Sequence, residues 1–96
     1  MENFEFALTD EARKDLEKLN SQIRIRILKK LKWFRNNFSQ ISPLPLQEEW
    51  HGFFKFRIGD WRVVYEIDYR ENKIFIHIID HRDKIYQRKI PRCITR

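Results

Sequence analysis

Two alternating runs meet at Gly59-Asp60, and that junction constrains the fold more than any other part of the chain. In FFKFRI, Phe54, Phe56 and Ile58 alternate with Phe53, Lys55 and Arg57, and WRVVYEIDY follows directly from Trp61 to Tyr69. Alternation with period two predicts a strand on each side. A two-residue link with glycine first is what a type II′ hairpin needs. So short a loop sets the register: Ile58 faces Trp61, Arg57 faces Arg62, and Lys55 faces Val64. Lys55, Arg57 and Arg62 then share one face of the sheet, with the Cβ atoms of Arg57 and Arg62 about 4.5–5.5 Å apart.

The flanking segments supply what this hairpin packs against. Asn3 to Leu8 alternate Phe4, Phe6 and Leu8 against Asn3, Glu5 and Ala7, which predicts a short N-terminal strand. Thr9 reads as a helix N-cap, with Asp10 and Glu11 in the first turn, where the helix dipole favours them. Leu8, Ala12, Leu16 and Leu19 then recur at helical spacing, and Asn20-Ser21 ends that helix and caps another. In the second helix Ile23, Ile27, Leu31, Phe34 and Phe38 draw one apolar stripe. Residues 39–52, with Pro43 and Pro45, read as a connecting loop. After a polar turn at residues 70–73, IFIHII from Ile74 to Ile79 is apolar on both faces and reads as an interior strand. The tail reads as a short helix or irregular segment that ends before Pro91. The expectation is an α+β fold: an N-terminal strand, a helical hairpin, and an antiparallel three-stranded meander forming a small sheet with the helices on one face. At 96 residues, positions 1–96 make one domain.

Composition narrows the chemistry. Cys93 is the single cysteine, which rules out an intramolecular disulfide and a cysteine-based zinc site. The acidic N-terminus lacks the basic and apolar regions of a secretory leader, and no run approaches a bilayer span, so a cytoplasmic protein with no membrane partner is expected. Twenty Lys and Arg against fourteen Asp and Glu give a net charge of +6 and suit a polyanionic partner. Ribosomal proteins, DNA binders, nucleases and plain basic enzymes share that balance. Arg24, Lys29, Lys30 and Lys32, together with Arg26 and Arg35, cluster on the second helix, either along phosphates or as a solvated face.

The sharper signal is the paired cations. Like charges placed opposite one another destabilise a sheet unless something offsets them. Glu66 is the only acid expected on that face of the hairpin, and one carboxylate cannot neutralise Lys55, Arg57 and Arg62. The choice lies between an anion site and the ordinary solvent side of a one-sided sheet. Arg82 and Tyr86, four residues apart, would share a side if their segment were helical, and the preceding strand could deliver them beside the hairpin. His81 is expected to point away from Arg82. His51 and His77 are separated widely, no adjacent carboxylates complete a metal set, and neither metal nor cofactor is expected. Trp33, Trp50 and Trp61 are read as packing residues.

On FKFRIGDWRVVYEID and HRDKIY, within an order of strand, helical hairpin and proline-containing loop, the chain resembles the RelE/ParE toxin superfamily over nearly its whole length. In its RelE-like ribonucleases the functional set is two basic residues one position apart in the first hairpin strand, an Arg opening the next, and an Arg and a Tyr near the C-terminus. Here these positions hold Lys55 and Arg57, Arg62, and Arg82 and Tyr86. Arg57 stands where the best-known members carry Lys; a guanidinium stays protonated and transfers protons poorly, but it can clamp phosphate.

The resemblance implies a metal-independent mRNA interferase that works on the ribosome through attack of the 2′-hydroxyl on the adjacent phosphodiester. Arg57, Arg62 and Arg82 would stabilise the phosphorane. Lys55, among neighbouring cations that disfavour further charge, is the candidate for proton transfer, and Tyr86 for stacking on a base. It also implies a cognate antitoxin, the ribosome and mRNA as partners, and operator DNA bound through the toxin–antitoxin complex. Two other readings stand beside it: a ParE-like gyrase inhibitor without nuclease activity, and a noncatalytic nucleic-acid-binding module built on the second helix.

Overall fold

In the computed structural model, which describes residues 3–95, the sheet has five strands rather than the meander and N-terminal strand alone. They are β1 (Glu5–Leu8), β2 (Leu44–Pro45), β3 (Phe54–Ile58), β4 (Trp61–Asp68) and β5 (Lys73–His81), in the order β1-β5-β4-β3-β2. The expected register holds: Ile58 faces Trp61, Arg57 faces Arg62, and Lys55 faces Val64. Gly59 carries the turn with φ +60, the left-handed geometry that a type II′ turn asks of its first central residue.

One feature departs from the sequence reading and another completes it. Leu44 and Pro45 pair with Lys55 and Phe54, so part of the proline-containing loop is an edge strand, a place that tolerates proline's missing N–H. β1 pairs in parallel with the first half of β5, which makes β5 an interior strand as its apolar pattern requires.

The helices α1 (Asp10–Lys18) and α2 (Ser21–Asn36) cover one face of the sheet. Their starts are set locally. The Thr9 hydroxyl accepts the Ala12 N–H at 3.2 Å, and the Asn20 side chain accepts the Ile23 N–H at 3.0 Å. From α2, Ile27, Leu31 and Phe34 are buried against Ile58, Val63, Tyr65 and the inward isoleucines of β5. The Phe34 ring lies parallel to that of Phe56, with centroids 4.0 Å apart. β1 is too short to cover the end of β5, and α1 fills the gap: buried Asp15 accepts the Ile79 N–H at 2.9 Å in place of a strand neighbour.

The other face is covered too. Leu46, Trp50 and Phe53 from the loop before β3, and Ile85 and Ile90 from the tail, close over Val64 and Ile78. At the hairpin end of that face Arg57 is exposed and Arg62 half-buried.

Candidate functional site

The hairpin holds the cations as the register demands. Among the described residues, none of Lys55, Arg57 and Arg62 has a carboxylate within ion-pair distance. Arg62 instead donates through Nη1 to the carbonyls of Gly59 at 2.7 Å and Trp61 at 2.9 Å. The backbone of the turn therefore takes up part of its charge, which explains how two guanidiniums are tolerated on opposed positions. Lys55 sits one pleat along, between Leu44 and Val64.

Tyr86 reaches the same surface, though not through an α-helix. Ile85–Gln87 form a single 3₁₀ turn whose buried Ile85 anchors it in the second core, leaving the Tyr86 ring 41% exposed. Burial raises the Tyr86 pKa, while the nearby charges of Arg62 and Arg57 act in the opposite direction. The net rise keeps the phenol protonated near neutral pH, as a hydrogen-bond donor rather than a base. Arg82 lies at the hairpin turn, where its N–H donates to the Asp60 carbonyl at 2.8 Å and its Nε is 3.7 Å from Oδ1 of Asp60. The helical spacing of Arg82 and Tyr86 is thus not realised: Tyr86 lies near enough to Arg57 and Arg62 to feel their charge, while exposed Arg82 pairs with Asp60. His81 belongs elsewhere, with its ring edge-on to Trp61 and its Nδ1 accepting the Asp83 N–H at 3.2 Å.

Glu66 shares the face of the cations but not their neighbourhood. It is 1% exposed and accepts from His77 Nε2 at 2.6 Å, from the N–H groups of Ile94 and Thr95 at 2.9 and 2.8 Å, and from the Thr95 hydroxyl at 2.7 Å. Nothing in the local sequence pairs His77 with Glu66; the register shift at Val64/Tyr65 does so, by making His77 the extra residue of a bulge beside it. Burial alone would raise the Glu66 pKa, but the hydrogen bonds from Ile94, Thr95 and His77 together hold it below the ordinary carboxylate value. The unfolded chain therefore takes up this proton first. The stability that Glu66 contributes is complete above the ordinary carboxylate range and is lost as pH falls through the lowered folded value. Thermal melts of the parent and Glu66→Gln across that acid range should show a steeper loss in the parent, and the variant should be less stable at neutral pH by about 1–3 kcal/mol.

On α2 the basic cluster divides. Lys29, Lys30 and Lys32 are exposed, with the Lys30 ammonium 4.6 Å from the Trp33 ring. Arg24 is not part of that surface: it is half-buried and donates to the carbonyls of Leu16 at 3.0 Å and Leu19 at 2.6 Å, closing the end of α1. Trp50 and Trp61 pack as expected, whereas Trp33 is 46% exposed. Among the described residues no three His, Cys, Asp or Glu side chains are grouped to hold a metal ion, and no helix is long and apolar enough to cross a membrane.

Comparison with known proteins places this geometry in a family. Residues 6–86 match the family described as ParE toxin of type II toxin-antitoxin system, parDE. The chain belongs to the RelE/ParE superfamily of type II toxins. It is 37% identical over 84 residues to toxin RelG of Mycobacterium tuberculosis, a match covering 83% of this chain and 92% of that one. The toxin is also similar to a chain of the RelBE2 toxin–antitoxin complex of the same organism, at 27% identity and a TM-score of 0.74, over 83% of this chain and 99% of that one. The isolated RelE toxin of E. coli shares the fold, with a TM-score of 0.65 at 17% identity over 95% and 88% of the two chains.

Proposed function

We propose that this toxin is a metal-independent endoribonuclease that cleaves mRNA on the ribosome. The observation that carries the reading is the opposition of Arg57 and Arg62 without a carboxylate partner among the described residues, beside a protonated tyrosine. Such a surface fits an anion with several oxygens, and a pentacovalent phosphorane is one. RNA carries its own nucleophile. The 2′-oxygen loses its proton and attacks phosphorus, the bond to the 5′-oxygen breaks, and that oxygen gains a proton. Arg57 and Arg62 would stabilise the charge on the phosphoryl oxygens, with Arg82 joining from the turn. Lys55 is the candidate for proton transfer, and Tyr86 for base stacking or donation to a phosphoryl oxygen. Lys29, Lys30 and Lys32 offer a second, exposed contact surface for RNA.

A cognate antitoxin belongs to the same reading, supported by likeness to a toxin solved within a toxin–antitoxin complex. The +6 charge suits an acidic antitoxin segment, and the pair would work in the cytoplasm and bind its operator DNA. Gyrase inhibition is the second reading, favoured by the ParE description of the matching family.

The deciding experiment is induced expression followed by primer extension on a translated and an untranslated copy of one message. Cuts confined to the translated copy are expected. Intact message with damaged DNA would replace the ribonuclease reading with gyrase poisoning.

A further inference from the structure

The cation and tyrosine surface is assembled from segments far apart in the chain. β3 brings Lys55 and Arg57, β4 brings Arg62, and the C-terminal turn brings Tyr86. The backbone of that turn is anchored by Ile85 on one side and by the ion pairs of Arg88 on the other. Neither anchor determines where the ring of Tyr86 points, because a tyrosine 41% exposed can turn about its χ1 bond unless another side chain blocks it.

Trp50 stands in that position. Its ring meets the Tyr86 ring edge-to-face, with centroids 5.7 Å apart and planes at 80°. Trp50 is itself 9% exposed and also meets Phe53 edge-to-face, with ring centroids 6.3 Å apart and planes at 74°. The loop that carries it is closed by hydrogen bonds from Leu46 N–H to the Phe53 carbonyl at 3.0 Å and from Phe53 N–H to the Trp50 carbonyl at 3.1 Å. Phe53 directly precedes β3, so two successive aromatic contacts link the ring of Tyr86 to the strand that bears Lys55 and Arg57.

We propose that Trp50 is a positioning residue, whose indole fixes the Tyr86 ring beside Arg57 and Arg62 so that the ring meets the RNA in one orientation. This rests on the ribonuclease reading for its consequence, though not for its geometry. Misplacing a group by about 1 Å costs as much as a hundredfold in rate, so loss of the indole should lower the chemical step more than binding.

The test has two arms. In the free toxin, three-bond couplings report the Tyr86 χ1 rotamer: a single rotamer is expected in the parent, averaging in Trp50→Met, and an intermediate state in Trp50→Phe, which keeps a smaller ring and the fold. In single-turnover cleavage of ribosome-bound message, Trp50→Met should lose about ten- to a hundredfold in rate with little change in KM, and Trp50→Phe a few-fold. Neither substitution should add a loss in a Tyr86→Ala background. An unchanged rotamer in both variants overturns the proposal, as do equal losses with and without Tyr86, which would mark Trp50 as general core. The rotamer arm needs no substrate, so a parent that cuts no message defeats the ribonuclease reading while the couplings still decide whether Trp50 holds the ring.

Discussion

Arg57→Ala and Arg62→Ala are each expected to lower ribosome-dependent cleavage by about 10²–10³-fold, the usual cost of removing one preorganised charge donor from a transition state. Stability should move the other way or stay level. The two residues face each other across β3 and β4, and like charges so placed destabilise a sheet. Arg57→Ala is the cleaner case, because relief of that repulsion is worth about 0.2–1 kcal/mol and no hydrogen bond or ion pair of its side chain is lost among the described contacts. Arg62→Ala also gives up the bonds to the Gly59 and Trp61 carbonyls, so its gain is smaller. The combination of lost activity with retained or raised stability is what a site maintained for function produces. Single-turnover cleavage and urea unfolding on the same preparations measure both. Cleavage within threefold of the parent in both variants would defeat the assignment. Growth arrest that persists while DNA damage accumulates would point to gyrase.

The sequence disclosed this hairpin and not its surroundings for a physical reason. A two-residue turn with glycine first is a local signal, and once made it fixes every cross-strand neighbour from Ile58–Trp61 to Lys55–Val64. The stripe of Ile27, Leu31 and Phe34 is local in the same sense, since helical spacing alone places these residues on one face. Pairings between distant segments leave no comparable trace. Nothing near Leu44 announces that it will lie beside Lys55, and nothing in β1 announces a parallel partner at Lys73–Ile76. The spacing of Arg82 and Tyr86 would have placed both on one side only in an α-helix; the segment makes a 3₁₀ turn at Ile85–Gln87 instead, and Arg82 lies against Asp60 at the hairpin turn. Glu66 read as a lone acid among cations because the bulge that brings His77 to it depends on the whole sheet.

Arg88 shows the same limit with the largest consequence for folding, and Arg88→Ala is expected to destabilise the toxin by about 3–5 kcal/mol. Its Nη1 donates to Asp15 at 3.0 Å and Asp80 at 3.1 Å, and its Nη2 to Glu11 at 2.6 Å. Burial favours the neutral form of the guanidinium, but the bonds to Asp15, Glu11 and Asp80 outweigh it and raise the Arg88 pKa. Asp15 decides the size of the effect. It is 6% exposed and already committed to the Ile79 N–H, so without Arg88 it becomes a buried carboxylate with no countercharge. Small domains have about 5–15 kcal/mol in all, so the loss takes a large share of the total. At about 4–8 °C per kcal/mol, the melting temperature should fall by roughly 12–40 °C. Arg88→Lys should restore part of the loss, because an ammonium supplies the charge but not the planar fork that spans three carboxylates. Asp15→Asn in the Arg88→Ala background should recover part as well, by removing the stranded charge while its side-chain oxygen still accepts from Ile79. A urea midpoint for Arg88→Ala equivalent to less than about 1 kcal/mol of destabilisation would show that Asp15 finds water or another cation, and that the ion pairs of Arg88 add little to what holds α1, β5 and the tail together.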